Sequence, residues 1–476
     1  MKPPQPPAAP LLPRRALVAP AGGLVAAALV GLGIDGRAAA APAAGPRPRA
    51  RRAIHVCFVG GLSQVDSFDH KPELDRLHGR PLPDGMKPET FFGGAGLLRR
   101  GDWTFRRRGE SGLWVSDLFP ALAGVADELT VIRSMTADTA NHMPALFQEN
   151  TGFRTNGFPA LGSWLSYGLG AESDSLPTFV VLPDGRSQPN GGAANWSNGF
   201  LPASHQGVPF HSATEPVRDL FPARAVGADE ERDGRGLVSL LDRVHLGRHP
   251  GDDLLAARIR AAELAARMQV SVPEALDFAD EPQRVLDAYG VGREPTDDAA
   301  RRCLLARRLL ERGVRFVQLY SGGAFGGTPR HGWDGHEDNR ENHAREAALV
   351  DRPLAALLGD LKARGLLDET VLLFTTEFGR TPFTQSAPDV LGAGRDHNPE
   401  GFTVWMAGAG LRPGVAHGAT DAVGWRVVEE PVTWPDLHAT LLHILGIDHE
   451  RLTFYHDGIG RRLTNVSGRP IAGILA

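Results

Sequence analysis

Short, almost continuous apolar runs recur along this 476-residue chain, with helical stretches between them. A strand that is apolar at every position is covered on both faces, because an exposed face would carry polar residues at alternate positions. The predicted strands are Ile54–Val59, Leu129–Ile132, Thr178–Leu182, Arg315–Tyr320, Thr370–Phe374 and Phe402–Met406. Alternation of such strands with helices predicts an α/β fold with a mostly parallel sheet.

Two segments carry clear helix signals. One has apolar residues at the spacing of a helix face that packs on a sheet, namely Leu354, Leu357, Leu358 and Leu361. The other lies between Pro435, near its start, and Gly446, just past its end. Both helices are expected to cover the sheet.

Other regions depart from the alternation. Residues 82–116 and 183–235 are rich in Gly, Pro, Arg and Asn, and we expect them to be irregular. A helical insertion is predicted at about 251–312, with helices at Asp252–Val270, Glu281–Tyr289 and Asp297–Arg312. The sequence favours one large domain, residues 53–476, over two independent domains.

The first 44 residues do not have the pattern of a folded domain. A basic start with Arg14 and Arg15 precedes an apolar run, Ala16–Ile34, and an Ala-rich stretch follows. This order is typical of an export signal, and the paired arginines resemble a twin-arginine signal. A Sec signal, an uncleaved anchor or a disordered extension are the alternatives. We therefore expect a signal over 1–44, a linker over 45–52, and a periplasmic or cell-envelope location.

Charge and cysteine content exclude several classes of protein. The formal charge is −5, and residues 1–44 contribute +3, so the mature chain is near −8. This acidity argues against nucleic-acid binding. Two cysteines exclude a disulfide scaffold and a zinc site built mainly on thiolates, and we expect Cys57 and Cys303 to be buried thiols. Pro and Gly interrupt the N-terminal apolar run, and no other segment is a candidate span, so the mature chain should lack a stable transmembrane helix. No sequence feature specifies an oligomeric state.

Polar residues cluster beside predicted strands. Asp66 follows Gly60-Gly61 after the first strand, and Glu377 and Arg380 follow the strand that begins at Thr370. The segments His331 to Asn339 and Gly394 to Pro399 add further Asp and His residues. Ligands bind beyond the carboxyl ends of strands in an open parallel sheet. Since Asp, Glu and His supply mixed oxygen and nitrogen ligands, the pattern predicts a metal-binding cleft. Each segment taken alone also fits an ordinary turn.

Taken together, these motifs resemble one family. The motifs are Gly60-Gly-Leu-Ser-Gln-Val-Asp66-Ser-Phe-Asp69, Asn141-His142-Met-Pro144, Gly332-Trp-Asp334-Gly-His336, Thr376-Glu377-Phe-Gly-Arg380-Thr-Pro382, Gly394-Arg-Asp396-His397-Asn-Pro399 and Asp436-Leu-His438. In this order they resemble the domain of unknown function numbered 1501, within the alkaline phosphatase-like (sulfatase-like) superfamily. The resemblance covers roughly residues 50 to 475. It implies an α/β/α sandwich with a bimetal site at the carboxyl edge of the sheet.

The resemblance also implies roles for individual residues. Asp66 resembles the carboxylate that binds one metal, and Asp334 with His336 resembles the pair that binds the other. Glu377 stands where the superfamily usually has Asp-His, so Phe378 replaces one imidazole ligand. His397 resembles the last histidine of the pattern. The implied cofactors are divalent metal ions: Zn, Mn, Mg or Ca.

The catalytic groups are expected on the segment after the second predicted strand and near Glu377. Thr139 is the candidate hydroxyl nucleophile, and Asn141 and His142 match the family motif. Asn141 as a helix cap is the alternative interpretation. Arg380 is the candidate oxyanion binder, because a guanidinium matches sulfate or phosphate bidentately. A surface arginine paired with an acid is the alternative.

Two functions follow as hypotheses. The first is a metal-dependent hydrolase of sulfate or phosphate esters, with an anionic ester or a sulfated glycan as substrate. The second is a non-catalytic relative that binds an anionic glycan or a protein partner at the cell envelope. The missing nucleophile and Phe378 favour the second hypothesis.

Overall fold

The structure is a computed structural model that describes residues 45–83, 86, 88, 90, 94–210, 226–323 and 330–476. The predicted export segment, residues 1–44, lies outside these ranges. Within the described ranges no helix has the length and apolar character needed to cross a membrane.

The chain folds into strands and helices that largely alternate. The strands are β1 (Arg52–Phe58), β2 (Ala95–Leu98), β3 (Phe105–Arg108), β4 (Leu113–Ser116), β5 (Leu129–Met135), β6 (Phe179–Leu182), β7 (Val208–Pro209), β8 (Phe316–Ser321), β9 (Thr370–Thr375), β10 (Gly379–Gln385), β11 (Arg395–Asn398), β12 (Phe402–Gly408), β13 (Val415–His417), β14 (Ala419–Thr420), β15 (Val427–Glu429), β16 (Phe454–His456) and β17 (Ile459–Arg461). The helices are α1 (Gln64–Ser67), α2 (Pro72–Arg76), α3 (His142–Thr151), α4 (Leu161–Leu169), α5 (Ala228–Arg248), α6 (Asp253–Leu276), α7 (Gln283–Tyr289), α8 (Asp297–Glu311), α9 (Asn339–Ala363) and α10 (Trp434–Ile444).

Eight strands form the main sheet, in the order β13-β5-β12-β9-β1-β8-β6-β7. β1 lies near the centre and pairs in parallel with β8 and β9, so that Ala53 lies opposite Phe316 and Val371. Among these eight strands, β12 alone runs antiparallel to its neighbours, β9 and β5. The mostly parallel sheet predicted from the sequence is therefore confirmed, and all six predicted strands belong to it.

Helices cover both faces of this sheet. Side chains alternate along a strand, so Ile54 and Val56 of β1 pack in a core with α8 and α9. Ala53 and Cys57 face the opposite way and pack in a core with α3, α4 and α10. The four leucines predicted to form the inner stripe of α9 are all buried. The result is the α/β/α sandwich that was expected.

The regions expected to be irregular are more ordered than predicted. Within 82–116, β3 and β4 form a hairpin in which Arg107 lies over the ring of Trp114. The stretch 183–235 includes the start of α5 at Ala228, where acidic residues in the first turn favour a helix N-terminus despite the nearby glycines. Residues 211–225 of that stretch lie outside the described residues. Composition alone overestimated the irregular part of the chain.

The predicted linker, residues 45–52, packs against the domain. The backbone N–H groups of Arg49 and Ala50 both donate to the carbonyl of Ile444 at the end of α10. Ala50 is buried, and β1 already begins at Arg52. These residues therefore join the sandwich at its edge.

A small second sheet, in the order β11-β10-β2, continues from the carboxyl edge of the main sheet. β10 begins four residues after β9 ends and pairs antiparallel with β11, placing Arg380 opposite His397. This connection brings residues near position 397 next to the loops that follow β1 and β8.

Candidate metal centre

Four buried side chains converge beyond the carboxyl ends of the central strands: His142, Asp334, His336 and His397. We call this group the His3Asp cluster. One ligand atom from each residue lies within 4.8 Å of the others. His142 begins α3, Asp334 and His336 lie in the loop before α9, and His397 lies in β11. The fold therefore collects the ligands from three chain segments, at the edge where parallel sheets bind ligands.

The glycine pair after β1 allows these loops to approach closely. Gly60 has a φ of +120°, and a Cβ there would lie 2.6 Å from the backbone nitrogen of Asp334. Gly61 has a φ of +88°, and a Cβ there would lie 2.9 Å from the ring of Phe378. Both positions need a residue without a side chain.

Hydrogen bonds define the tautomer of each histidine in the cluster. The Nδ1 atom of His142 lies 2.7 Å from Glu377 Oε1, and that of His397 lies 2.6 Å from the carbonyl oxygen of Ala140. The Nδ1 atom of His336 bonds the side-chain oxygen of Gln385. Because the three partners are acceptors, each Nδ1 carries the proton in the neutral ring. Each Nε2 then presents a lone pair, as in metal-binding histidines.

The three Nε2 atoms gather around one carboxylate oxygen, Asp334 Oδ1. The distance from it is 2.9 Å to His336 Nε2 and 3.5 Å to the Nε2 atoms of both His142 and His397. His336 Nε2 lies only 2.8 Å from His397 Nε2. Two lone pairs that face each other at this distance repel unless a proton or a cation lies between them. The donor set therefore fits a divalent cation that accepts imidazole and carboxylate ligands.

Electrostatics act differently on the members of the cluster. Burial opposes ionisation of Asp334, but the guanidinium of Arg380 holds its pKa well below the usual range. Burial, together with nearby positive charge from Arg380 and the other two imidazoles, lowers the pKa of His397 well below its usual value. Burial also opposes protonation of His142, yet Asp334 and Glu377 raise its pKa. The carboxylate is thus charged and His397 is neutral, whereas the raised pKa of His142 favours its protonated form, from which a bound cation would displace the proton.

Glu377 does not belong to the His3Asp cluster but orients one of its ligands. Its Oε1 atom accepts the N–H of Gly60 at 2.8 Å and bonds His142 Nδ1 at 2.7 Å. The side chain is fully buried. Glu377 therefore contacts the candidate ligand His142 and lies outside the cluster itself, whereas the resemblance implied direct metal binding.

The next residue, Phe378, closes one side of the cluster. Its ring centroid lies 4.8 Å from that of His142 and 4.4 Å from that of His397. It is fully buried. Phe378, which the resemblance placed at the position of an imidazole ligand, thus forms an apolar wall of the cluster.

Arg380 is placed differently from the expected oxyanion binder. Its guanidinium is fully buried and donates to the carbonyls of Gly61 at 2.9 Å and Arg395 at 3.1 Å. It also donates to Asp334 Oδ1 at 2.7 Å. Since these contacts occupy the guanidinium fork, Arg380 is paired with Asp334 inside the protein. The alternative interpretation, an arginine paired with an acid, describes Arg380 better, although this pair is buried and not at the surface.

Arg330 was not identified from the sequence, and it is a more accessible cation beside the cluster. It bonds the other carboxylate oxygen of Asp334 and lies 2.6 Å from Glu337 Oε1. Its side chain is 28% exposed, and together with His142, His331 and Asp334 it lines a narrow cavity. The signal available in the sequence was its place four residues before Asp334.

Asp66 lies outside the His3Asp cluster. It is fully buried in α1, and its Oδ2 atom pairs with Arg395 Nε at 3.0 Å. It also accepts bonds from Ser63 Oγ at 2.5 Å and from the backbone N–H of Asp102 at 2.7 Å. Burial opposes ionisation, but Arg395 and these donors lower its pKa. The carboxylate is thus satisfied within the protein, and Asp66 belongs to neither group of candidate ligands among the described residues.

Thr139 and Asn141 precede the ligand His142 in the chain. Asn141 is the N-cap of α3, and its side chain accepts the backbone N–H of Met143 at 3.3 Å. The hydroxyl of Thr139 accepts the N–H of Asn141 at 3.1 Å. The structure thus shows Asn141 in the capping role that was the alternative interpretation, and both side chains stabilise the turn that presents His142.

Solved structures that resemble this chain share little sequence with it. A protein in the alkaline phosphatase superfamily from Vibrio parahaemolyticus is 12% identical, with a TM-score of 0.39 over 90% of this chain and 72% of its own. The lipoteichoic acid synthase LtaP from Listeria monocytogenes is 10% identical, with a TM-score of 0.34 over 88% and 76%. Ps i-CgsB in complex with k-i-k-neocarrahexaose is 11% identical, with a TM-score of 0.37 over 83% and 72%. Comparison with curated proteins finds no match.

A family comparison covers almost the whole described chain. The model of the family described as "Protein of unknown function (DUF1501)" matches residues 50–475. This range includes all four residues of the His3Asp cluster, as well as Glu377 and Arg380. It confirms the resemblance drawn from the motifs: the chain belongs to the DUF1501 family.

Proposed function

We propose that this protein is an exported, metal-dependent hydrolase of sulfate or phosphate esters. The observation that carries the proposal is the arrangement of the His3Asp cluster, in which three imidazole Nε2 atoms surround one buried carboxylate oxygen. Three imidazoles and one carboxylate favour Zn or Mn over Mg or Ca, which prefer all-oxygen ligands.

A divalent cation held by this cluster would supply Lewis-acid activation of a water molecule and of the ester oxygen. The protein's own residues then have separable tasks. Glu377 holds the proton on Nδ1 of His142, so that Nε2 keeps its lone pair. Arg380 fixes the Asp334 carboxylate from the buried side. The Phe378 ring excludes water from one side of the imidazoles.

Arg330 is the residue that we assign to the anionic group of the substrate. It lines the cavity together with His142 and Asp334, and part of its side chain is exposed. A guanidinium can offer two parallel N–H donors to a sulfate or phosphate group. Binding of an anionic ester or a sulfated glycan would require Arg330 to exchange its contacts with Asp334 and Glu337 for the ligand.

The test combines metal analysis with two chromogenic substrates. The full chain is purified, its metals are measured by mass spectrometry, and turnover of 4-nitrophenyl sulfate and 4-nitrophenyl phosphate is followed with and without chelator. His397→Ala should lose one metal ion per chain and at least 100-fold in turnover. His456→Ala, which changes a partly exposed histidine of β16, is the matched control and should change neither. Metal-loaded protein that hydrolyses neither ester would overturn the proposal.

A second candidate function is non-catalytic binding of an anionic glycan or protein partner at the cell envelope. It is favoured because the hydroxyl expected to act as nucleophile, Thr139 Oγ1, is engaged with the backbone of Asn141. Calorimetry with a sulfated oligosaccharide distinguishes the two functions. Binding by metal-loaded protein without release of sulfate would support this second function, whereas turnover that chelator abolishes would rule it out.

A further inference from the structure

A second group of ligand side chains lies beneath the main sheet. His55 and Cys57 are two residues apart on β1, so both point to the face that packs against α3. Glu149 of α3 meets them there, and one ligand atom from each of the three lies within 4.8 Å of the others. All three are at most 1% exposed. None of them takes part in the His3Asp cluster.

The side chains of His55, Cys57 and Glu149 lie close to one another. His55 Nε2 lies 3.4 Å from Cys57 Sγ and 3.6 Å from Glu149 Oε1. Thr375, at the end of β9, places its hydroxyl 2.6 Å from the same imidazole nitrogen and bonds Glu149 Oε1. Four side chains that can each ligate a metal thus meet around His55 Nε2.

The group is incompletely satisfied by the protein itself. Glu149 Oε2 is buried and has no hydrogen-bond partner among the described residues. The buried Oε1 atom of Gln318, whose Nε2 lies 3.5 Å from Cys57 Sγ, has none either. Buried polar atoms are nearly always paired in proteins. An unpaired carboxylate oxygen beside an imidazole and a thiol is a donor that a cation could satisfy.

We propose that His55, Cys57 and Glu149 form a second metal-binding site for a cation of the Zn²⁺ type. A thiolate with an imidazole and a carboxylate is a donor set that Zn²⁺ and Co²⁺ accept, whereas Mg²⁺ and Ca²⁺ prefer oxygen alone. Thr375 Oγ1 would be the fourth neighbour. Gln318 would donate to the bound thiolate, as outer residues commonly do around metal-binding sulfur.

Burial affects the ionisation of two members of the group. Burial, and secondarily the negative charge of Glu149, raises the pKa of Cys57 well above its usual value. Burial also raises the pKa of Glu149. A divalent ion binds the thiolate and carboxylate forms, so its binding would have to overcome both shifts.

Helix α3 keeps the two sites apart. His142 and Glu149 are seven residues apart, which corresponds to about 10 Å along a helix axis. The His3Asp cluster contains no sulfur, whereas the site beneath the sheet contains Cys57. Loss of one ion can therefore be assigned to one site, and the second site can exist even if the protein hydrolyses no ester.

The test exploits the presence of only two cysteines in the chain. Cys303, the other cysteine, is buried in α8 and belongs to no group of candidate ligands among the described residues. Cys303→Ser leaves Cys57 as the sole thiol. When this variant is produced in cobalt-supplemented medium, its near-ultraviolet spectrum should show the thiolate-to-Co²⁺ charge-transfer band, and metal analysis should give two ions per chain.

Two further variants separate the sites. His397→Ala should reduce the content to one ion and keep the thiolate band. Glu149→Gln should also lose one ion, and in this case the band should fall at least tenfold. A Cys303→Ser protein that is folded by circular dichroism, binds cobalt and shows no thiolate band would overturn the proposal. So would a metal content that Glu149→Gln leaves unchanged.

Discussion

Replacement of Glu377 by glutamine tests the role assigned to the most buried carboxylate beside the His3Asp cluster. Glu377 Oε1 accepts both the N–H of Gly60 and the Nδ1–H of His142. A glutamine oxygen at the same place can accept both bonds. The Glu377→Gln substitution therefore removes the negative charge behind His142 while it preserves the contacts.

The expected magnitude follows from this geometry. Loss of a residue that orients a metal-binding histidine typically reduces metal affinity 10- to 100-fold. Because glutamine keeps both hydrogen bonds, the loss of metal affinity in Glu377→Gln should lie at the lower end of this range, about tenfold or about 1.4 kcal/mol. Glu377→Ala removes the acceptor as well and leaves a buried N–H at Gly60, so its loss should approach 100-fold. It should also lower the free energy of unfolding by about 1–3 kcal/mol.

The assay is competition with a chromophoric chelator, at fixed pH, for the metal that His397→Ala removes. Glu450→Gln serves as the control, because that carboxylate is largely exposed and pairs with Arg462 at the surface. The control should bind the metal with the same affinity as the unmodified protein. If Glu377→Gln also binds metal within a factor of two of the unmodified protein, the carboxylate does not tune His142, and the reasoning fails.

Three further predictions concern stability and export. Burial lowers the pKa of His343 to about 3 in the folded protein, whereas in the unfolded chain its pKa is about 6.5. As the pH falls, the unfolded state therefore binds a proton before the folded state does. The free energy of unfolding should consequently drop by about 2–3 kcal/mol between pH 6.5 and 4.5. Urea titrations should show a smaller drop for His343→Gln, and an equal drop would contradict the assignment. Gly61→Ala should lower the free energy of unfolding by about 1–3 kcal/mol, because Gly61 has a positive φ and an added Cβ would meet Phe378. Gly124→Ala is the control: a Cβ there meets no atom within 4 Å, so the free energy of unfolding should be nearly unchanged in the same titrations. Replacing Arg14 and Arg15 together by lysine should keep the protein in the cytoplasm on cell fractionation, and unchanged export would argue against a twin-arginine signal.

The fold could be predicted because its signals are local. A strand such as Ile54–Val59 is apolar over its whole length, and the inner stripe of α9 repeats at helical spacing. These patterns depend on neighbours within a few residues. The structure confirms them to within a few residues at each end.

Much of the candidate site could not be predicted in the same way, because the role of a buried polar residue depends on a distant partner. Asp66 pairs with Arg395, and Glu377 contacts Gly60 and His142. Each is an acid just after a strand, and position alone cannot distinguish a ligand from a residue that supports one. The site beneath the sheet shows the same difficulty, since His55 and Cys57 lie within an apolar run and meet Glu149 only through the packing of α3.

The wide spacing of the His3Asp ligands along the chain has a consequence for folding. His142 and His397 are 255 positions apart in sequence, so the cluster closes only after β11 has docked against the loops of the main sheet. A cation bound there would stabilise the finished protein without helping earlier intermediates. Contacts that form after the transition state slow unfolding and leave the folding rate nearly unchanged. Metal binding should therefore lower the unfolding rate and so lengthen the lifetime of the folded protein.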